Sequence, residues 1–269
     1  MLSFKGKKRD KPQKQLMIEG NKKPVQVLAV WGSPGSGKTT VAVKLAKCLA
    51  EKKQNVLLII SDMTVPMIPC ICPLEDLENT WSLGNILAAP HVTQALIEEN
   101  CITHKKIKYL AFLGMLNGEN EYTYAPYEAE QATELIAGVR KLTDYVIIDC
   151  SSYIANDILS AVALMEADAV LQVVNCDLKS ISYLASQLPL LQEAKWGVDK
   201  HLKVINNIKG HEAINHMEQV LGKVSFMVPA ALEVMEQGIA GNLLVDLESK
   251  KSRGFEHEIE KVAKEVFEC

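Results

Sequence analysis

The sequence predicts a doubly wound α/β fold: a mostly parallel sheet with helices on both faces. Three observations predict it. Near-continuous apolar runs of strand length recur from Val25 onward, and most are separated by runs with helical spacing. A glycine-rich octet, Gly32-Ser-Pro-Gly-Ser-Gly-Lys-Thr39, sits between the first apolar run and the first helical one. Two apolar runs lead into aspartates, Asp62 and Asp149, which places carboxylates at the C-terminal edge of a parallel sheet.

The elements follow in order. Strands are expected at 25–31, 55–61, 107–114, 144–150, 168–174, 202–206 and 224–228. Helices are expected at 38–52, 127–141, 155–166, 179–194 and 211–221. A last helix, 255–267, carries Phe255, Ile259, Val262 and Val266 at helical spacing. Segment 63–105 is the least regular. It holds Pro66, Pro69, Pro73 and Pro90 and reads as switch-type loops and short helices. Residues 25–269 thus read as one domain, large enough for a sizeable core. Residues 1–24 carry eight Lys and Arg against two acids, and are expected to form a flexible basic tail. The net charge of −4 therefore falls on an acidic remainder.

The octet fits G-x-x-x-x-G-K-T, a phosphate loop. Gly32, Gly35 and Gly37 let the backbone curl with its N–H groups inward, where a Cβ would obstruct. The helix that follows adds its positive end. Ser33, Pro34, Ser36 and Thr40 complete the expected nucleotide-binding stretch. Lys38 is placed to reach the β- and γ-phosphates of ATP, and Thr39 to ligate Mg²⁺. Asp149 ends the run Asp144-Tyr-Val-Ile-Ile-Asp149 beside that loop, where a carboxylate can hold Mg²⁺ through water. Asp62 follows the second strand, where it can orient the attacking water or bind Mg²⁺. Its competing reading is a turn or helix cap.

The order of motifs resembles the ParA/MinD superfamily of dimerising ATPases. The phosphate loop is followed by LLIISD, DYVIIDC, ADAVLQVVN, KVINN and a late VP before a helix. The resemblance covers nearly all of 25–267. It implies ATP sandwiched at a homodimer interface, with Asp62 as the first-switch aspartate and Asp149 as the Walker B aspartate. It also implies that Asn206 reads the adenine edge and that Pro229 opens the loop along the base. Cys150-Ser151-Ser152 stands where the family's second switch usually reads Thr/Cys-Pro-Pro.

Two departures bear on hydrolysis. The family's extra lysine, five residues before the invariant one, is Ser33 here, and the D-x-D of the second strand reads Ile60-Ser61-Asp62. Slow turnover is therefore expected, in DNA partition, conjugation or positioning of cellular machinery. Two alternatives stay open. The S-P-G-S-G-K-T loop also resembles that of bacterial tyrosine kinases, although Thr64 replaces their second-strand arginine and no tyrosine cluster ends the chain. Weakly hydrolysing pilus-locus positioning proteins form the other alternative.

Seven scattered cysteines fit a reduced, cytoplasmic setting better than a disulfide framework. Cys70 and Cys72 lack metal-site spacing and read as ordinary thiols. No run approaches the ~18 apolar residues of a membrane span, and the acidic last helix argues against a basic membrane-binding face. Nonspecific DNA, met by the basic tail or by Lys250, Lys251 and Arg253, and a partner protein are the macromolecular partners the sequence suggests.

Overall fold

The computed structural model describes residues 24–210 and 214–268. The basic tail, apart from Pro24, and Cys269 lie outside the described residues.

The chain opens with strand β1 (Val27–Gly32), whose six residues are all buried, so both faces of the sheet are covered there. Alternate side chains serve opposite layers: Leu28 and Val30 enter one core, Val27, Ala29 and Trp31 the other. Helix α1 (Lys38–Glu51) follows and packs on the first layer with Val41, Leu45 and Leu49. Strand β2 (Val56–Ile60) comes next.

The irregular stretch resolves into short pieces, as its prolines suggest: α2 (Ile68–Ile71), α3 (Leu83–Leu87), α4 (Gln94–Asn100) and a two-residue strand β3 (Ile102–Thr103). Ser82 and Thr93 cap α3 and α4 by accepting from the N–H groups of Gly84 and Leu96. Strand β4 (Leu110–Leu113) is shorter than the expected 107–114. Helix α5 (Ala129–Val139) starts at a reciprocal box between Glu128 and Gln131. Strand β5 (Tyr145–Asp149) and helix α6 (Ile158–Glu166) follow, the latter capped by Asp157.

The second half adds β6 (Ala169–Asn175), α7 (Leu178–Gln187), β7 (His201–Ile208), α8 (Ile214–Leu221), β8 (Phe226–Pro229), α9 (Leu232–Ala240) and α10 (Arg253–Phe267). Helix α7 ends before the expected Ala194. Pro189 has no N–H to continue the ladder, and the chain tightens into a 3₁₀ turn at Leu188–Gln192.

Among the described residues the strands form one eight-stranded sheet in the order β3-β4-β2-β5-β1-β6-β7-β8. Every pairing is parallel except β3 with β4, at the edge. From β1 the chain builds outward to one side through β2 and later to the other through β6. The strand order reverses at β1, and the crevice at the C-terminal ends of β1, β5 and β6 is the topological switch point. Below it, α10 and α1 close one face, while α5 and α6 close the other.

Candidate nucleotide-binding site

Residues 32–39 turn through that switch point. A methyl group at Gly32 would lie 1.7 Å from the carbonyl oxygen of Val173 on β6, so only glycine lets the two strands run this close. Gly37 takes the left-handed conformation at φ +85° and starts α1 without a side-chain cap. No side chain caps the first N–H groups of α1, an arrangement that can hold an anion.

The functional side chains converge on this turn. Thr39 Oγ1 donates to Asp149 Oδ2 at 2.5 Å, tying the first turn of α1 to the end of β5. Asp149 is 4% exposed, and its Oδ1 has no hydrogen-bond partner among the described residues. Burial pushes its carboxyl up to about 6, against the pull of the Thr39 hydroxyl and the Lys38 charge. Lys38 Nζ donates to Ser152 Oγ at 2.7 Å and to the Ser33 carbonyl at 3.3 Å. Burial lowers its hold on its proton, opposed by the negative charges of Asp149 and Asp62.

Asp62 lies near enough for its charge to act on both Lys38 and Asp149, and it lines a neighbouring cavity with Tyr127, Tyr153 and Asp157. Its Oδ1 also accepts from the N–H groups of Thr64 and Val65 at 2.9 and 3.0 Å. The capping geometry is thus present at Asp62. Asp157, which the sequence reading did not single out, lies close by. Its Oδ2 accepts from Ser160 Oγ at 2.6 Å, and Ser61 Oγ joins the same cluster at 2.6 Å from Ser160 Oγ. Burial raises the Asp157 carboxyl above its ordinary range, opposed by the Ser160 bonds.

On the other side of the loop a cavity of about 860 Å³ opens, lined by Gly37, Thr40, Asn206, Ala230, Ala231 and Met235. Asn206 is 3% exposed, and its Nδ2 donates to the Ser36 carbonyl at 2.7 Å. That bond fixes the amide's orientation and leaves Oδ1 as an unpaired buried acceptor. Pro229 lies beside this cavity and not in its wall. Its ring approaches Gly254, and the next two residues line the space.

Ser33 stands where the family resemblance implies a lysine that reaches across to a partner's phosphates. Its side chain instead points inward and is fully buried, with its hydroxyl 2.8 Å from Ser180 Oγ on α7. The neighbouring β6 strand and α7 cover it, and its N–H donates to the Val173 carbonyl. Two further residues that sequence reasoning missed hold the loop. Asn175 Nδ2 donates to the Gly35 carbonyl at 3.2 Å, and Asn207 Nδ2 donates to Asn175 Oδ1 at 2.9 Å. The run KVINN gave the only signal for Asn207. The residues from 201 on also carry the loop's support, as β7 pairs with β6.

Among the described residues no group of three or more His, Cys, Asp or Glu forms a metal cluster. A divalent ion here would be held by Thr39 and Asp149 together with a ligand's own oxygens, which is how Mg²⁺ is usually bound. Among the described residues no helix is long and apolar enough to cross a membrane.

A glycine turn running into an uncapped helix, with Lys, Thr and a strand-end Asp around it, defines the phosphate-loop class of α/β folds. The chain belongs to the AAA domain family, which matches residues 26–204. Its fold is that of the ParA and MinD ATPases. A ParA family ATPase from Chlorobium tepidum superposes with a TM-score of 0.72 at 19% identity, over 89% of this chain and 98% of that one. The septum site-determining protein MinD from Pyrococcus horikoshii, solved with Mg-ADP, gives 0.68 at 18% identity, over 90% and 95%. An uncharacterized ATP-binding protein of Methanocaldococcus jannaschii is 27% identical over 151 residues, 56% of this chain. The chain matches about half the length of that relative, 53%.

Proposed function

We propose that this protein binds Mg-ATP in the crevice at residues 32–40 and hydrolyses it slowly, as a ParA/MinD-like ATPase. One observation carries the reading: Lys38, Thr39 and Asp149 meet at the phosphate loop, and the buried Asp149 keeps one oxygen unpaired. An orphaned buried carboxylate oxygen is costly unless a ligand uses it. The site fits a nucleotide at its other end too, where Asn206 lines an 860 Å³ cavity and its buried Oδ1 has no partner among the described residues.

In this reading the loop N–H groups and Lys38 hold the phosphates. Thr39 and Asp149 hold Mg²⁺, which offsets phosphate charge when bound. Asp62 orients the attacking water, and Asn206 accepts a hydrogen bond from the adenine amino group. Ala230 and Ala231, following Pro229, border the base.

Nucleotide-dependent homodimerisation belongs to the same proposal. Leu178, Tyr153, Leu232, Met235 and Ile239 are all more than half exposed around the C-terminal edge of the sheet, an apolar rim suited to a second copy. Membrane contact has no part in this reading. Conjugation, partition on DNA and positioning of other machinery are the processes in which such a switch would serve. The test is phosphate release from Mg-ATP measured alongside mass by light scattering, with ATP, with ADP and without nucleotide. Slow release with a doubled mass in ATP is expected. ATP binding with an unchanged monomeric mass contradicts the dimer, and no ATP binding contradicts the whole reading.

A further inference from the structure

The first turn of α7 takes the side chain at position 33 out of the crevice and brings another one to it. Asp177 Oδ1 caps the helix by accepting from the Ser180 N–H at 2.7 Å. Ser180 Oγ then meets Ser33 Oγ at 2.8 Å and also accepts from the Asn175 N–H at 3.2 Å. Asn175 in turn holds the Gly35 carbonyl. Between these two anchors lies Lys179. A methyl group built on Gly35 would sit 3.8 Å from Lys179 Nζ. The ammonium thus stands at the open, exposed face of the phosphate loop. No carboxylate among the described residues pairs with it within salt-bridge distance. Two ammonium groups facing one loop repel each other unless an anion lies between them.

We propose that Lys179 contacts the terminal phosphate of the nucleoside triphosphate held by its own chain's loop, supplying there the positive charge that Ser33 cannot. The inference rests on the nucleotide-site reading above. In hydrolysis, water attacks the γ-phosphorus, the bond to the bridging oxygen breaks, and ADP and inorganic phosphate leave. Lys179 forms no covalent bond. It contributes charge placed in advance, which is the main resource of phosphoryl transfer. Its position also explains why a serine at 33 is compatible with an intact loop. The same helix turn that needs a small hydroxyl at 33 for docking brings in the lysine at 179.

The experiment uses the full chain with Lys179→Met and Lys179→Arg, and Lys38→Ala as the control for the site. Equilibrium binding of ATP and of ADP is measured with Mg²⁺, together with phosphate release. Lys179→Met is expected to weaken ATP by roughly tenfold and ADP by less than about twofold, with kcat down by about tenfold or more and an unchanged melting temperature. Lys179→Arg should recover most of both losses, which a purely structural role would not produce. Equal ATP affinity and turnover in wild type and Lys179→Met, with Lys38→Ala impaired, overturns this assignment and leaves the site reading intact. Recovery of activity on mixing Lys179→Met with Lys38→Ala chains would show action across a dimer and overturn the in-chain assignment. A wild-type chain that binds no ATP overturns the site reading and this inference with it.

Discussion

Thr39 and Asp149 are joined by a 2.5 Å hydrogen bond from Oγ1 to Oδ2, across 110 residues of chain. The bond fixes the start of α1 against the end of β5 at the point where the strand order reverses. It also turns one carboxylate oxygen toward the loop and leaves the other without a partner. The site is therefore assembled by the sheet register and not by any single segment.

Asn206 should set base choice. Its Nδ2 is committed to the Ser36 carbonyl, so only the acceptor Oδ1 is free for a ligand. An acceptor favours the amino group of adenine and repels the keto oxygen of guanine. Competition binding should show ATP preferred over GTP, and Asn206→Ala should reduce that preference by about tenfold. An unchanged ATP-to-GTP ratio in the variant removes Asn206 from base recognition.

Asp62 can be divided into its two roles by substitution. Asn keeps the oxygen that accepts from Thr64 and Val65 and removes the charge. Asp62→Asn should melt like wild type, bind ATP, and hydrolyse it at least about tenfold more slowly. Turnover equal to wild type would leave Asp62 as a cap alone.

Gly32 should tolerate no side chain. The 1.7 Å approach of a Cβ to the Val173 carbonyl can be relieved only by moving β1 from β6. Gly32→Ala should lower unfolding free energy by about 1–3 kcal/mol or more in urea titrations. A change below about 0.5 kcal/mol would mean that the strands separate readily there.

Lys44 carries a buried ammonium that donates to Gln237 Oε1 at 2.6 Å and to the Val245 carbonyl at 3.2 Å. Burial lowers its pKa to about 8, against 10.5 for an exposed lysine. Between these two values the unfolded chain binds more protons than the folded one. The lysine's contribution to stability therefore rises with pH across that window. Lys44→Met should change stability at pH 7 by no more than about 1 kcal/mol, because relief from burying a charge offsets the two lost bonds. The difference between wild type and variant should shift in favour of wild type from pH 8 to pH 10. A difference that is flat in pH contradicts the buried charge.

Much of this was legible in the sequence, and the reasons are physical. The octet carries its conformation in its own glycines, and Asp149 ends a run too apolar to be anything but a buried strand. The strand count came one short, because two residues, Ile102 and Thr103, are too few to show a period. The apolar spacing that predicts a helix to 194 continues through the 3₁₀ turn after Gln187, where α7 itself ends. Asn175, Ser152, Ser180 and Lys179 could not be read locally. Each meets the loop from more than 100 residues away, through the pairing of β1 with β6 and β5. The direction of Ser33 was hidden for the same reason. A spacing rule gives its place in the loop, but only the packing of α7 shows that its hydroxyl is buried.

The central claim is that residues 32–40 hold the phosphates of Mg-ATP, with Lys38 as the cation at their centre. Calorimetric titration of Mg-ATP into wild type and Lys38→Ala tests it most directly. The account predicts saturable binding of one nucleotide per chain in wild type, and affinity lowered by at least about a hundredfold in the variant, close to 3 kcal/mol. Equal affinity in the two proteins, or no binding by wild type, would contradict it.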